Sequence, residues 1–191
     1  SYLGMIFIPG ARREVRATAA RDIVAAAAGR PVFGVFASDD ADAILQHRDR
    51  SGLSGAQVHG DLRPEVAARL RSHGMLVWRV VRVSDAAGAR AAGRAAPGVD
   101  AVLIEPKVAG ALGGTGTPLG PGLGRLARMA LAGRRMVLAG GLRPDTVAAA
   151  VAEIGPDVVD VSTGVERIPG DKDPALSRSF LEALVGDLPS P

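Results

Sequence analysis

The chain has 191 residues, 47% apolar, 3% aromatic and 23% charged, with a formal net charge of +3. That suffices for one domain with a sizeable core, and it contains no cysteine, which excludes a disulfide framework, thiolate metal sites and a cysteine nucleophile within this chain. Its basic residues are almost all arginine, scattered in pairs such as Arg12-Arg13 and Arg134-Arg135 among 20 acids, so they form no nucleic-acid stripe, and no apolar run is long enough to span a membrane.

The chain begins Ser1-Tyr2-Leu3, without an initiator methionine and directly inside a strand-like run over residues 2–8, as a fragment or trimmed chain would. From there short apolar runs alternate with alanine-rich stretches. A helix is predicted over 18–28, a strand over 32–36, a helix over 40–49, a strand over 56–58 and a helix over 64–72. Next come a strand over 76–81, a helix over 85–95, a strand over 101–104 and a helix over 122–132. Strand 136–138, helix 144–153, strand 158–161 and helix 174–185 complete the order. Runs apolar on both faces are what buried parallel strands look like. Pro64, Pro144 and Pro174 open helices, because proline is pre-set for the first turn. Gly29, Gly74, Gly133 and Gly155 close helices as left-handed caps.

Strict β-α alternation implies a parallel sheet with right-handed crossovers. An open doubly wound sheet and a closed barrel both fit that order. The polar and glycine residues favour the barrel, because they recur just after successive strands: Pro9 to Arg13, His59-Gly60-Asp61, Glu105, Gly140-Gly141 and Ser162-Thr163-Gly164. In a parallel barrel all strand C-termini open on one face, where the site is built, whereas an open sheet gathers its site at one switch point.

Two late strands end in small glycine turns, Leu138-Ala139-Gly140-Gly141-Leu142 and Asp160-Val161-Ser162-Thr163-Gly164. Each alone reads as a tight turn; two together favour a phosphate held by backbone amides. The stretch from Gly110 to Pro118 is neither a P-loop nor a dinucleotide fingerprint, and reads as an active-site lid or as a plain surface loop. Glu105, Asp160 and His59 are the ionisable groups at strand ends. Glu105 is the most telling: burial after the run 101–104 would raise its pKa toward a value useful to a general acid. His47 and His73, on helices and without partner spacing, are expected at the surface.

Together the pieces Gln57-Val58-His59-Gly60-Asp61, Gly113-Gly114-Thr115-Gly116, Leu138-Ala139-Gly140-Gly141-Leu142 and Val159-Asp160-Val161-Ser162-Thr163-Gly164-Val165-Glu166, followed by Pro169-Gly170 and Lys172-Asp173-Pro174, resemble the phosphoribosylanthranilate isomerases of tryptophan biosynthesis. The opening at residues 2–9 resembles that family's second strand, so the resemblance implies a TIM (βα)8 barrel with seven βα units here, the first strand–helix unit absent. Residues 1–191 would form a single, incomplete barrel domain. The family catalyses an Amadori rearrangement, in which an acid protonates the ribose ring oxygen, the ring opens to a Schiff base and a base removes the C2′ proton. The resemblance implies no metal and no organic cofactor, a small phosphorylated substrate as the partner, neither nucleic acid nor membrane, and a cytoplasmic location. By position Glu105 would be the acid, where the family usually has aspartate, and Asp160 would order the site near the substrate hydroxyls. Arg13 would hold the anthranilate carboxylate. Gly140, Gly141, Ser162, Thr163 and Gly164 would take the phosphate, with His59, Gly113 and Gly114 completing the substrate site. The family's base is a cysteine on the first strand, and this chain has no cysteine. The alternatives are a related sugar-phosphate isomerase and a barrel remnant that binds sugar phosphates without catalysis.

Overall fold

The computed structural model of the chain describes residues 1–108 and 116–185. Two compact units emerge: unit 1 comprises Ser1–Val80 and Ala95–Val102, and unit 2 comprises Val81–Arg94 and Leu103–Pro191.

In unit 1, β1 (Leu3–Ile6), α1 (Ala17–Ala26), β2 (Val32–Phe36), α2 (Ala41–Ser51), β3 (Gly55–Val58) and α3 (Pro64–Ser72) lead into β4 (Leu76–Val83), whose last residues belong to unit 2. The strands are parallel and pair in chain order: Leu3 opposite Val32, Phe33 opposite Gly55, and Gly55 opposite Leu76. A half-buried aspartate joins the next strand: the Asp100 amide donates to Val77 O at 2.8 Å, and the Val77 amide donates back to the Asp100 carboxylate at 2.8 Å. The core is ring-rich. Phe33 packs on Trp78 with centroids 4.2 Å apart, and Tyr2 meets both edge-on at 5.6 and 5.1 Å. Gly55 makes room, since a Cβ there would lie 2.4 Å from the Phe33 ring.

Unit 2 contains α4 (Ala86–Ala91), β5 (Ala101–Pro106) from Leu103 on, α5 (Pro121–Ala130), β6 (Met136–Leu138), α6 (Val147–Ile154), β7 (Val158–Val159), the hairpin β8 (Glu166–Ile168) and β9 (Asp171–Lys172), and α7 (Pro174–Val185). Its strands also run in chain order. The Lys107 amide donates to Val83 O at 2.9 Å, the Ala139 amide to Ile104 O at 2.9 Å, and Val137 pairs with Val158. Sequential parallel order in each unit is what right-handed crossovers of one repeating unit produce, and a doubly wound sheet would reverse it. The core here is aliphatic. α5 reaches α6 because Gly124 has no side chain: a Cβ would lie 2.5 Å from Ile154.

Helix ends follow local chemistry. The Asp40 carboxylate accepts from the amides of Asp42 and Ala43, and Asp85 accepts from Gly88, so both caps satisfy orphan donors of the first turn. Gly29, Gly74, Gly133 and Gly155 all take positive φ, as expected of C-terminal caps. Three expectations are corrected. Pro144 does not open a helix; it sits in a turn in which the Thr146 hydroxyl accepts from the Arg143 amide, and α6 starts only at Val147. His47 is not a surface residue: its ring lies half-buried against Phe7 and Phe36, with centroids 4.4 and 5.6 Å away. The stretch 85–95 is α4 followed by a 3₁₀ turn, Ala92–Ala95.

Candidate active site

The site in unit 2 begins with β5. Its residues Ala101, Val102, Leu103 and Ile104 are fully buried, and the strand continues through Glu105, which remains only 7% exposed. Loss of hydration disfavours the carboxylate and raises the Glu105 pKa to about 7, with the Arg82 guanidinium at the end of β4 opposing that rise and Asp160 adding to it. Asp160 follows β7, where its amide extends the ladder by donating to Leu138 O at 2.8 Å. Its carboxyl is also pushed up by burial, against the pull of the Lys172 ammonium. Burial thus shifts both carboxyl groups toward their protonated forms.

Two glycine turns come close to these acids. After β6, Gly140 and Gly141 have φ of 98° and 61°. A Cβ at Gly140 would lie 2.2 Å from the Pro106 ring, and one at Gly141 would lie 2.5 Å from the backbone nitrogen of Pro118. After β7, a Cβ at Gly164 would lie 1.9 Å from the Leu142 carbonyl oxygen. Real Cβ atoms do not approach so closely, so Gly141 and Gly164 are required by backbone packed on backbone, and Gly140 by the Pro106 ring. Glu105, Gly140, Gly141, Asp160, Ser162, Thr163 and Gly164 line one cavity of about 50 Å³. At roughly 10–15 Å³ for each water-sized group, that is the scale of a single phosphate.

The structure therefore brings together seven of the expected residues. Arg13 and His59 belong to unit 1. Arg13 lies half-buried after β1, and the buried His59 follows β3, with its Nε2 3.4 Å from Gln57 Nε2. Gly113 and Gly114, with most of the expected lid, lie outside the described residues. A wider cleft of about 510 Å³ in unit 1 is lined by Asp39, Asp42, Arg63 and Arg69. Its two arginines are paired, Arg63 to Asp39 at 2.7 Å and Arg69 to Asp42, and Asp40 and Glu65 on the same lining are exposed, which makes a solvated surface network. Sequence reasoning missed Arg82 and Lys172 as neighbours of the two acids. Lysine at 172 was visible as one of two lysines in the chain, but only the hairpin fold sets its ammonium against Ser162 and Glu166. Among the described residues no cluster of three or more His, Asp or Glu could hold a metal ion, and no helix is long and apolar enough to cross a membrane.

Residues 1–183 match the protein family described as N-(5'-phosphoribosyl)anthranilate (PRA) isomerase. The N-(5'-phosphoribosyl)anthranilate isomerase of Rubrobacter xylanophilus is 35% identical over 182 residues, covering 95% of this chain and 86% of that protein. The crystal structure of the Thermotoga maritima phosphoribosyl anthranilate isomerase superposes with a TM-score of 0.85 at 28% identity, covering 97% of this chain and 88% of that one. A phosphoribosyl anthranilate isomerase in complex with reduced 1-(o-carboxyphenylamino)-1-deoxyribulose 5-phosphate superposes with a TM-score of 0.83 at 26% identity, covering 97% and 87%.

Proposed function

The chain belongs to the N-(5'-phosphoribosyl)anthranilate isomerase family, and on that premise we propose that its unit 2 cavity performs the family's Amadori rearrangement with Glu105 as the general acid. The observation that carries this reading is the opening of a protonatable, buried Glu105 onto the same small cavity as two glycine turns. Near neutral pH a group with a pKa of about 7 is present in both forms, so it can deliver a proton to the ribose ring oxygen and be reprotonated afterwards. The turns at Gly140-Gly141 and Ser162-Thr163-Gly164 take the substrate phosphate on backbone amides, which fixes the ribose over the acid. Asp160 orders the ribose hydroxyls. The substrate is a soluble phosphate ester, which fits a cytoplasmic enzyme.

We read the parallel strands as strands of a single (βα)8 barrel domain; in support, those of each unit pair in chain order. A second reading is a sugar-phosphate binder without turnover. One experiment separates the two. Conversion of N-(5'-phosphoribosyl)anthranilate is measured beside inorganic phosphate binding on the same preparation. Turnover abolished by Glu105→Gln supports the isomerase; phosphate binding without turnover supports the binder; neither would remove the site.

A further inference from the structure

Lys172 has no part in the chemistry above. It stands on β9 directly opposite Glu166 of β8. Its ammonium donates to the Ser162 carbonyl at 3.0 Å, to the Ser162 hydroxyl at 3.3 Å and to the Glu166 carboxylate at 2.8 Å. Those contacts engage all three donors of the group. The Glu166 side chain is 2% exposed, and the oxygen that binds Lys172 also accepts from the Gly170 amide at 3.2 Å. The cation is therefore held by an anion that the hairpin turn itself fixes. The ladder of three and two residues also carries the two-pronged pair of Arg167 with Asp171 at 3.0 Å, which ties the hairpin without touching Ser162.

The consequence falls on the phosphate turn. The Ser162–Thr163 peptide is trans, and a planar trans peptide points its N–H opposite to its C=O. Holding the Ser162 carbonyl toward Lys172 turns the Thr163 amide to the other side of that plane. Charge-assisted hydrogen bonds are about twice as strong as neutral ones, so this orientation is fixed before any ligand arrives. We propose that Lys172 is a positioning residue for the isomerase: through Ser162 it aims the Thr163 backbone amide at the substrate phosphate. The inference rests on the phosphate reading of the cavity. Its second effect is electrostatic. The charged groups that face Asp160 are Lys172 from β9 and Glu105 from β5, the latter itself faced by Arg82.

The test compares Lys172→Met, Lys172→Arg and Arg167→Ala in the full chain, with inorganic phosphate as the probe and isomerase kinetics alongside. Lys172→Met is expected to weaken phosphate binding and raise KM by about tenfold or more, the scale of one lost charged hydrogen bond. Its acid limb of kcat against pH should move upward, because Asp160 loses its nearest cation. Lys172→Arg should recover most of the affinity, and Arg167→Ala, which loosens only the exposed face of the hairpin, should leave it within twofold or so of the parent. Equal losses in Arg167→Ala and Lys172→Met would show that hairpin stability alone is at work and overturn the proposal. So would normal phosphate affinity in Lys172→Met. Should that variant fail to fold by circular dichroism, Lys172→Gln, which keeps a donor but no charge, carries the same comparison. A parent chain that binds no phosphate would fail the reading of the cavity itself, and the inference with it.

Discussion

Units 1 and 2 bury their strands with different materials. Five of the six aromatic residues, Tyr2, Phe7, Phe33, Phe36 and Trp78, lie in unit 1, and only Phe180 lies in unit 2. Both units use the same device at the start of a strand: Asp100 accepts from the Val77 amide in one, and Asp157 accepts from the Met136 amide at 2.7 Å in the other. They part at the strand C-termini. Unit 1 places its acids there on the surface, paired with arginines, whereas unit 2 buries two carboxyls among glycine turns. Rings bring a large apolar area and little chemistry. Glycine turns and buried acids bring chemistry and little stability. On this contrast unit 1 carries the cohesion and unit 2 bears the cost of the site.

The largest effect should come from the rings. Phe33→Ala removes a fully buried side chain that touches both Tyr2 and Trp78, and it should destabilise unit 1 by about 3–5 kcal/mol. Urea unfolding followed by Trp78 fluorescence reads this directly. A loss below about 1 kcal/mol would show that the ring cluster is not what holds unit 1 together.

Glu105→Gln should separate activity from stability. kcat should fall about 100-fold or more if Glu105 is the acid. Stability should change in the opposite sense, and the sign follows from the raised pKa. The folded state holds the proton more tightly than the unfolded state, so the contribution of Glu105 is fully present below about 4.5 and is lost as pH rises through about 7. That loss amounts to about 3 kcal/mol at most, and glutamine, having no proton to lose, escapes it. The variant should therefore melt higher than the parent at pH 8 and alike at pH 4. Equal melting temperatures at pH 8 would mean that Glu105 is hydrated in solution.

Gly164→Ala probes the close approach of the two turns. The new Cβ would lie 1.9 Å from Leu142 O, so one turn must move, at about 1–3 kcal/mol of stability and with phosphate binding weakened about tenfold. Gly120→Ala is the control, because nothing lies near its Cβ and its φ is −58°. It should be neutral or stabilise slightly. If both alanines behave alike, the convergence of the turns is not tight enough to orient amides.

Much of this contrast was legible in the residues. The strand centres followed from runs apolar on both faces, and Glu105 and the glycine turns were visible because residue type and strand-end position agreed. The errors share a cause in tertiary contact. Pro144 carries the same signal in a turn as at a helix start, and the Thr146 hydroxyl decides between them. β8 and β9 have three and two residues, too few and too polar for any periodicity to register, so the contact of Lys172 with Ser162 was hidden with them. β5 ran on through Glu105 and Pro106 where the apolar pattern had stopped, which is why the acid stands inside a strand and not in the loop after it.

His47 offers the smallest and sharpest test, because it is unit 1's counterpart to Glu105. Its ring packs on Phe7 and Phe36, and its buried Nδ1 has no hydrogen-bond partner. Burial, with Arg50 nearby, holds its pKa below the usual histidine value of 6.5. The sign is therefore reversed. The unfolded chain takes up a proton that the folded chain refuses, so stability present above about 6.5 is lost as pH falls toward the lower folded value. His47→Leu removes both the orphaned nitrogen and the protonation penalty. It should stabilise the chain by about 1 kcal/mol at pH 7, and by more at pH 5. Glu105→Gln gains most at high pH, whereas His47→Leu gains most at low pH, and the double variant should flatten the stability profile from both sides. Melting curves of the four proteins from pH 5 to pH 8 decide the matter. If His47→Leu loses stability at pH 5, the ring is protonated and solvated in the folded chain, and His47 is no counterpart to the acid of unit 2.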